Sequence, residues 1–156
     1  MDSRLVATIA KRLLGRGEWL ACAESCTGGL IAKQLTDLAG SSQWFERGMV
    51  TYSNRAKTEL LGVPEPLLAQ HGAVSRECAE AMALGLLSRA PVQWTLAVTG
   101  IAGPGGGSKG KPVGTVWIAC AHPGGAEVRL YRFRGSRARI REQAAEAALV
   151  DLQKMF

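Results

Sequence analysis

EWLACAESCTGGLIAKQLTDL, residues 18–38, decides the fold. Its first part, EWLACAE (18–24), is a short and mostly apolar run, which reads as a buried strand. Its last part carries Leu30, Ile31, Leu35 and Leu38 at helical spacing, so a helix is expected over 27–38. SCTGG stands between them. Strand, tight turn and helix therefore follow one another directly, with Ser25 at the turn. That succession is the beginning of an α/β architecture.

The same reading extends in both directions. Upstream, Leu5, Ile9 and Leu13 recur every four residues, with Val6 and Leu14 beside them, giving a helix over 4–14 that Gly15 and Gly17 stop. Downstream, GMVTYS (48–53) reads as a second strand from its β-branched and aromatic content, with Tyr52 at its end. Asn54 is placed to cap a short helix, RAKTELLG, closed by Gly62. PEPLLAQHG (64–72) reads as a further helical turn, and Ser75 as the cap of RECAEAMALGLLSRA. QWTLAVTG (93–100) is a third strand. VGTVWIACA (113–121) and AEVRLYRFR (126–134) flank HPGG as a hairpin. The last helix is expected from Ser136 to Gln153, burying Ile140, Ala144, Ala147 and Leu149. Alternation followed by a hairpin and a helix predicts one three-layer α/β/α domain over 1–156, built on a mixed sheet.

Composition sets the bounds. The chain has 156 residues, 47% of them hydrophobic and 21% charged, and 19 Lys and Arg against 13 Asp and Glu give +6. This is the profile of a globular domain that needs neither metal nor disulfide to hold a core. No apolar run approaches the ~20 residues of a membrane span. The N-terminal segment alternates apolar and charged residues, unlike a signal peptide, so a cytoplasmic protein is expected, with no membrane partner. Cys22, Cys26, Cys78 and Cys120 lack zinc-site spacing and read as reduced core thiols. His71 and His122 are unpaired and read as surface or loop residues. No metal and no cofactor are expected.

Four segments carry chemistry. In AESCTGG (23–29), a serine at a strand end, before a helix N-terminus, has free amides and a positive dipole end nearby, as an oxyanion or phosphate site requires. Ser25 or Thr27 could equally be a simple cap, and the turn is not G-x-S-x-G. In TYSNRAK (51–57), Lys57 could serve Ser25 as a base if burial held it neutral, or be an ordinary solvated lysine. The loop GIAGPGGGSKG (100–110) contains six glycines and admits close backbone approach. It is not a Walker A loop, because Pro112 follows Lys111. Arg129, Arg132, Arg134, Arg137, Arg139 and Arg141 form a run without acidic residues. It suits phosphate or nucleic acid, or is simply surface charge.

These segments in this order, with GSSQWFERGMVTYSNRAK (40–57), QHGAVS (70–75), VTGIAGPGGG and KPVGTVW (98–117) and GSRARIR (135–141), resemble one family. It is the C-terminal domain of the competence/damage-inducible protein CinA, known as a nicotinamide-nucleotide amidohydrolase. The resemblance implies hydrolysis of nicotinamide mononucleotide to nicotinic acid mononucleotide and ammonia, in pyridine nucleotide salvage. It implies Ser25 as nucleophile, with Lys57 and Tyr52 as activating partners. Thr27, Gly28, Thr99, Gly100 and Gly103 would shape the substrate pocket, and Arg137, Arg141 or both would hold the phosphate. Arg139 falls where the family pattern is loose. A homodimer is implied as well. Cys26 is the rival nucleophile. The competing class is a non-catalytic nucleotide- or nucleic-acid-binding module; the absence of any nucleic-acid motif counts against it.

Overall fold

The computed structural model describes residues 3–156; Met1 and Asp2, inside the span expected as one domain, lie outside the described residues. The elements run α1 (Ser3–Arg16), β1 (Leu20–Glu24), α2 (Leu30–Thr36), a 3₁₀ turn (Ser41–Gln43), β2 (Phe45–Val50), α3 (Asn54–Leu61) and α4 (Glu65–His71). They continue α5 (Arg76–Arg89), β3 (Trp94–Gly100), β4 (Thr115–His122), β5 (Gly125–Arg132) and α6 (Arg137–Met155). The five strands form one sheet in the order β2-β1-β3-β4-β5. β1 runs parallel to both β2 and β3, while β3–β4 and β4–β5 are antiparallel. The sheet is mixed, as the alternation predicts. Among the described residues no helix is long and apolar enough to cross a membrane.

The two sheet faces differ in side-chain size. Leu20 and Cys22 of β1 join Leu96, Val98, Val116 and Ile118 under α1, α2 and α6. The alternate positions, Ala21, Ala23, Ala97, Ala119 and Ala121, lie under α5, with α3 and α4 packed beside it. Side chains this short let a helix approach the strands closely. Thr95 on that face donates its hydroxyl to the carbonyl of Ala83, in the middle of α5, at 2.8 Å. At Gly85 the approach is closer still, because a Cβ there would overlap the Leu61 carbonyl at the end of α3. All four cysteines are buried and reduced, as expected.

Several boundaries depart from the sequence reading. The second strand is Phe45–Val50, not 48–53. It is an edge strand, and Glu46 and Arg47 in its first half obscured its start; an edge tolerates such charges. Tyr52 therefore follows the strand rather than ending it. Ser53, not Asn54, caps α3, accepting from the Ala56 amide at 3.0 Å. α2 begins at Leu30 rather than at residue 27, because Gly28 (φ +57°) and Gly29 (φ +103°) make a left-handed turn before it. On α6, Ala148 is fully buried and Ala147 only half-buried. His71 and His122 are half-buried ends of α4 and β4, and His122 packs on Trp94 with ring centroids 5.0 Å apart. Ser75 caps α5 as expected, accepting from the Cys78 amide at 3.1 Å.

Candidate active site

β1, β2 and β3 are parallel, so their carboxyl ends share one edge of the sheet. The chain leaves β1 toward β2 on one side, while β3 pairs on the other. A crevice at such a reversal is where open α/β sheets place ligands. The turn after β1 is anchored there. The Ser25 amide donates to the Val98 carbonyl at 2.9 Å, and the Gly28 amide returns to the Ser25 carbonyl at 3.1 Å.

Glu24, the last residue of β1, supplies the cap of α2. Its carboxylate is buried and accepts from the amides of Ile31 at 2.9 Å and Ala32 at 3.0 Å. This corrects the expectation of free amides at the helix start, since a carboxylate already occupies two of them. Neither Ser25 nor Thr27 caps the helix. The Cys26 and Thr27 amides, in the turn itself, donate to no backbone carbonyl among the described residues, and the Cys26 amide lies against its own thiol.

Lys57 reaches this turn from α3. Its Nζ lies 3.0 Å from Ser25 Oγ, 2.9 Å from the Thr51 carbonyl and 3.2 Å from the Tyr52 carbonyl. The residue is 1% exposed and Ser25 is 8% exposed. Burial of the ammonium lowers the Lys57 pKa. Cys78 and Cys26 would raise it only as thiolates, and burial pushes both thiols up to about 11. The geometry accommodates either charge state: an ammonium would donate to all three oxygens, whereas a neutral amine would give its two hydrogens to the carbonyls and turn its lone pair to the serine hydroxyl.

A cleft of about 250 Å³ opens above this pair, with Ser25, Cys26, Tyr52, Gly100, Gly103 and Arg137 among its walls. Tyr52 stands at the mouth, 58% exposed, with its phenol oxygen accepting from Arg137 Nη2 at 3.1 Å. Arg137 Nη1 donates to the Gly103 carbonyl at 2.8 Å. Only the carbonyl of Tyr52, not its phenol, meets Lys57. Thr99 is buried, and its hydroxyl turns to the Ala73 carbonyl at 2.8 Å rather than into the cleft.

The two arginines considered for the phosphate have different partners. Arg137 borders the cleft. Arg141 donates from Nε to the Cys26 carbonyl and from Nη2 to the Thr27 carbonyl, both at 3.0 Å, and so braces the serine turn. Gly28 has no side chain to crowd that guanidinium; a Cβ there would stand 3.0 Å from Arg141 Nη2. Arg139 points away, with Nη1 3.3 Å from Glu142. Lys111 tethers the glycine-rich loop through the His71 carbonyl at 2.8 Å. Sequence reasoning missed the Glu24 cap and the Thr51 carbonyl. The first bridges seven positions with no local motif, and the second is a group every residue possesses.

Comparisons with known proteins bear on the family and the fold. The model of the CinA C-terminal domain family matches residues 2–156. Nicotinamide-nucleotide amidohydrolase PncC of Enterobacter agglomerans is 53% identical over 97% of this chain and 93% of its own length. The protein of that name from Escherichia coli K12 is 49% identical over 98% of this chain and 93% of its own. A CinA-like protein of Desulfotalea psychrophila is 53% identical, but the match covers only 35% of that longer relative. The chain thus spans about a third of some curated relatives and nearly all of others. Among solved structures, competence/damage inducible protein CihA from Agrobacterium tumefaciens superposes with a TM-score of 0.96 at 44% identity, covering 98% of this chain and 94% of that one.

Proposed function

The chain belongs to the CinA C-terminal domain family, and from that premise we propose that it hydrolyses nicotinamide mononucleotide to nicotinic acid mononucleotide and ammonia. The observation that carries the reading is the 3.0 Å contact between Ser25 Oγ and a buried Lys57 Nζ whose other neighbours are two carbonyls. The two full-length relatives named as nicotinamide-nucleotide amidohydrolases support the substrate.

Neutral Lys57 takes the proton of Ser25, and Oγ bonds to the carboxamide carbon. The oxyanion that forms is received by the Cys26 amide, the residue after the nucleophile. The Lys57 ammonium then gives its proton to the amide nitrogen, the C–N bond breaks and ammonia leaves. Lys57 is neutral again. Water adds to the acyl carbon, losing a proton to Lys57, and the ester bond breaks as that proton returns to Ser25 Oγ. Arg137 holds the phosphate at the cleft mouth, and Arg141 keeps the serine turn rigid.

The difference in exposure between buried Ser25 and exposed Arg137 on the same cleft supports this substrate. Lys57 and Ser25 lie at the floor and Arg137 at the mouth, so a carboxamide enters first with its phosphate outward. A nucleic-acid module has less support. Arg129 and Arg139 pair with Glu127 and Glu142, and Arg137 and Arg141 are engaged with other groups of the chain.

Ammonia release tests the reading. Wild type and Cys26→Ala are expected to turn over the mononucleotide within about twofold of each other. Ser25→Ala and Lys57→Met are expected to lose at least ~10³-fold in kcat while remaining folded. The riboside is expected to be the poorer substrate. A folded wild type that releases no ammonia from the mononucleotide would overturn the substrate assignment. A Lys57→Met variant near the wild-type rate would overturn the base.

A further inference from the structure

Tyr52 sits where two jobs are open to it, and its backbone and side chain divide them. Thr51 makes the last backbone bond toward β1, its amide donating to the Glu24 carbonyl at 2.9 Å. Beyond it the Tyr52 carbonyl turns inward to Lys57 Nζ, while the ring goes outward to the rim of the cleft. Lys57 already has three neighbours, namely Ser25 Oγ and the carbonyls of Thr51 and Tyr52. An amine nitrogen has no further position for a phenol. The Tyr52 hydroxyl instead accepts from Arg137 Nη2 at 3.1 Å.

That bond has geometric consequences. A guanidinium carries five N–H donors in one plane. Two of them, one on each terminal nitrogen, go to the Gly103 carbonyl and the Tyr52 oxygen, which stand on different loops. Those two contacts fix the plane, and three donors are left for a ligand. A phosphate monoester, with three terminal oxygens, fits such a fork. Tyr52 accepts in its contact with Arg137, so its own O–H hydrogen remains free. A phosphate oxygen on Arg137 would find that second donor beside it. Tyr52 is also far more exposed than the nucleophile, at 58% against 8% for Ser25.

We infer that Tyr52 is a specificity-determining residue, which orients Arg137 and with its own hydroxyl completes a site for the phosphate monoester, and that its phenol takes no part in moving the Ser25 proton. This rests on the reading of the cleft as a site for a phosphorylated carboxamide. It departs from the role that the family resemblance implies for this residue.

Tyr52→Phe is the test, because the exposed hydroxyl can be removed without disturbing the core. For the mononucleotide, KM is expected to rise about fivefold to tenfold with kcat unchanged. For the riboside, both constants are expected to stay within about twofold of wild type. A fall in kcat shared by both substrates would show the phenol acting on the reacting atoms and overturn the inference. Ribose 5-phosphate, titrated into wild type and Tyr52→Phe and followed by ligand-observed NMR, separates this inference from the proposed reaction. Weaker binding to the variant supports it even if wild type releases no ammonia. Equal binding to both proteins, or none to wild type, overturns it whatever the turnover.

Discussion

Lys57 is a buried amine with no carboxylate partner among the described residues, and this fixes how the protein responds to pH. Its folded-state pKa lies below the ordinary value of 10.5, because burial penalises the ammonium. Below the folded-state pKa, both folded and unfolded chains hold the proton, and the desolvation cost opposes folding in full. Between that pKa and 10.5, the unfolded chain holds more protons than the folded one, so stability climbs with pH. Above 10.5 both are neutral and the climb ends. Lys57→Met is therefore expected to be the more stable protein at low pH, by about 1 kcal/mol, with the difference shrinking as pH rises. Urea midpoints of the two proteins across that range check it. The wild-type kcat/KM is expected to rise through the same folded-state pKa, since only the neutral amine takes the Ser25 proton. Burial of this lysine could not be read from TYSNRAK, where an amphipathic or a solvated helix fits equally well. The motif named the residue, but only the approach of α3 to the turn shows it desolvated.

At the level of elements, α5 lies so near its neighbours that one position has no room for a methyl group. Alanine normally stabilises a helix over glycine by about 1 kcal/mol. At Gly85 the added carbon would meet the Leu61 carbonyl, and overpacking of that kind costs about 1–3 kcal/mol or more. The clash is expected to win. A net loss of about 1–2 kcal/mol should lower the Tm of Gly85→Ala by roughly 2–8 °C, measurable by thermal denaturation. The sequence marked the helix correctly, yet Gly85 inside it carried no sign of why it stands there. Strand β2 teaches the reverse lesson. Its charged first half hid a strand that tertiary pairing with β1 imposes, and the error displaced Tyr52 from a loop into a strand. α2 starts later than its apolar spacing implies for a local reason, since Gly28 and Gly29 both hold positive φ ahead of it. The cap sits on Glu24, which is placed by β1 and not by the helix.

Across the whole molecule, the class of fold was legible and the order of the strands was not. Alternation of strand and helix, then a hairpin, implies a mixed sheet, but the side of β1 on which each crossover lands is set by packing. The same packing gathers four distant segments at one sheet edge, which explains why the site emerged as separate candidates. The charge balance of +6 acts at this scale too. It favours the approach of the phosphate group of the proposed substrate and is screened by salt. Raising ionic strength from about 20 to 300 mM is therefore expected to reduce kcat/KM for the mononucleotide, whose net charge is negative, and to leave equal or slightly raise that for the riboside, which keeps only the ring cation. Steady-state rates on the two substrates side by side decide it.

The alanine-lined face under α5 gives the protein a one-sided tolerance to change. Ala21, Ala23, Ala97, Ala119 and Ala121 have almost nothing to lose, so mutation there can only add bulk. The opposite face, built from leucine, valine and isoleucine, fails the other way, by losing volume. Added bulk under α5 pushes outward on the layer that also holds α3, and α3 carries Lys57. Damage to that face would thus widen the gap between amine and serine before the chain came near unfolding. Turnover becomes the more sensitive gauge of that half of the core, and drift in its sequence is held in check by chemistry as well as by packing.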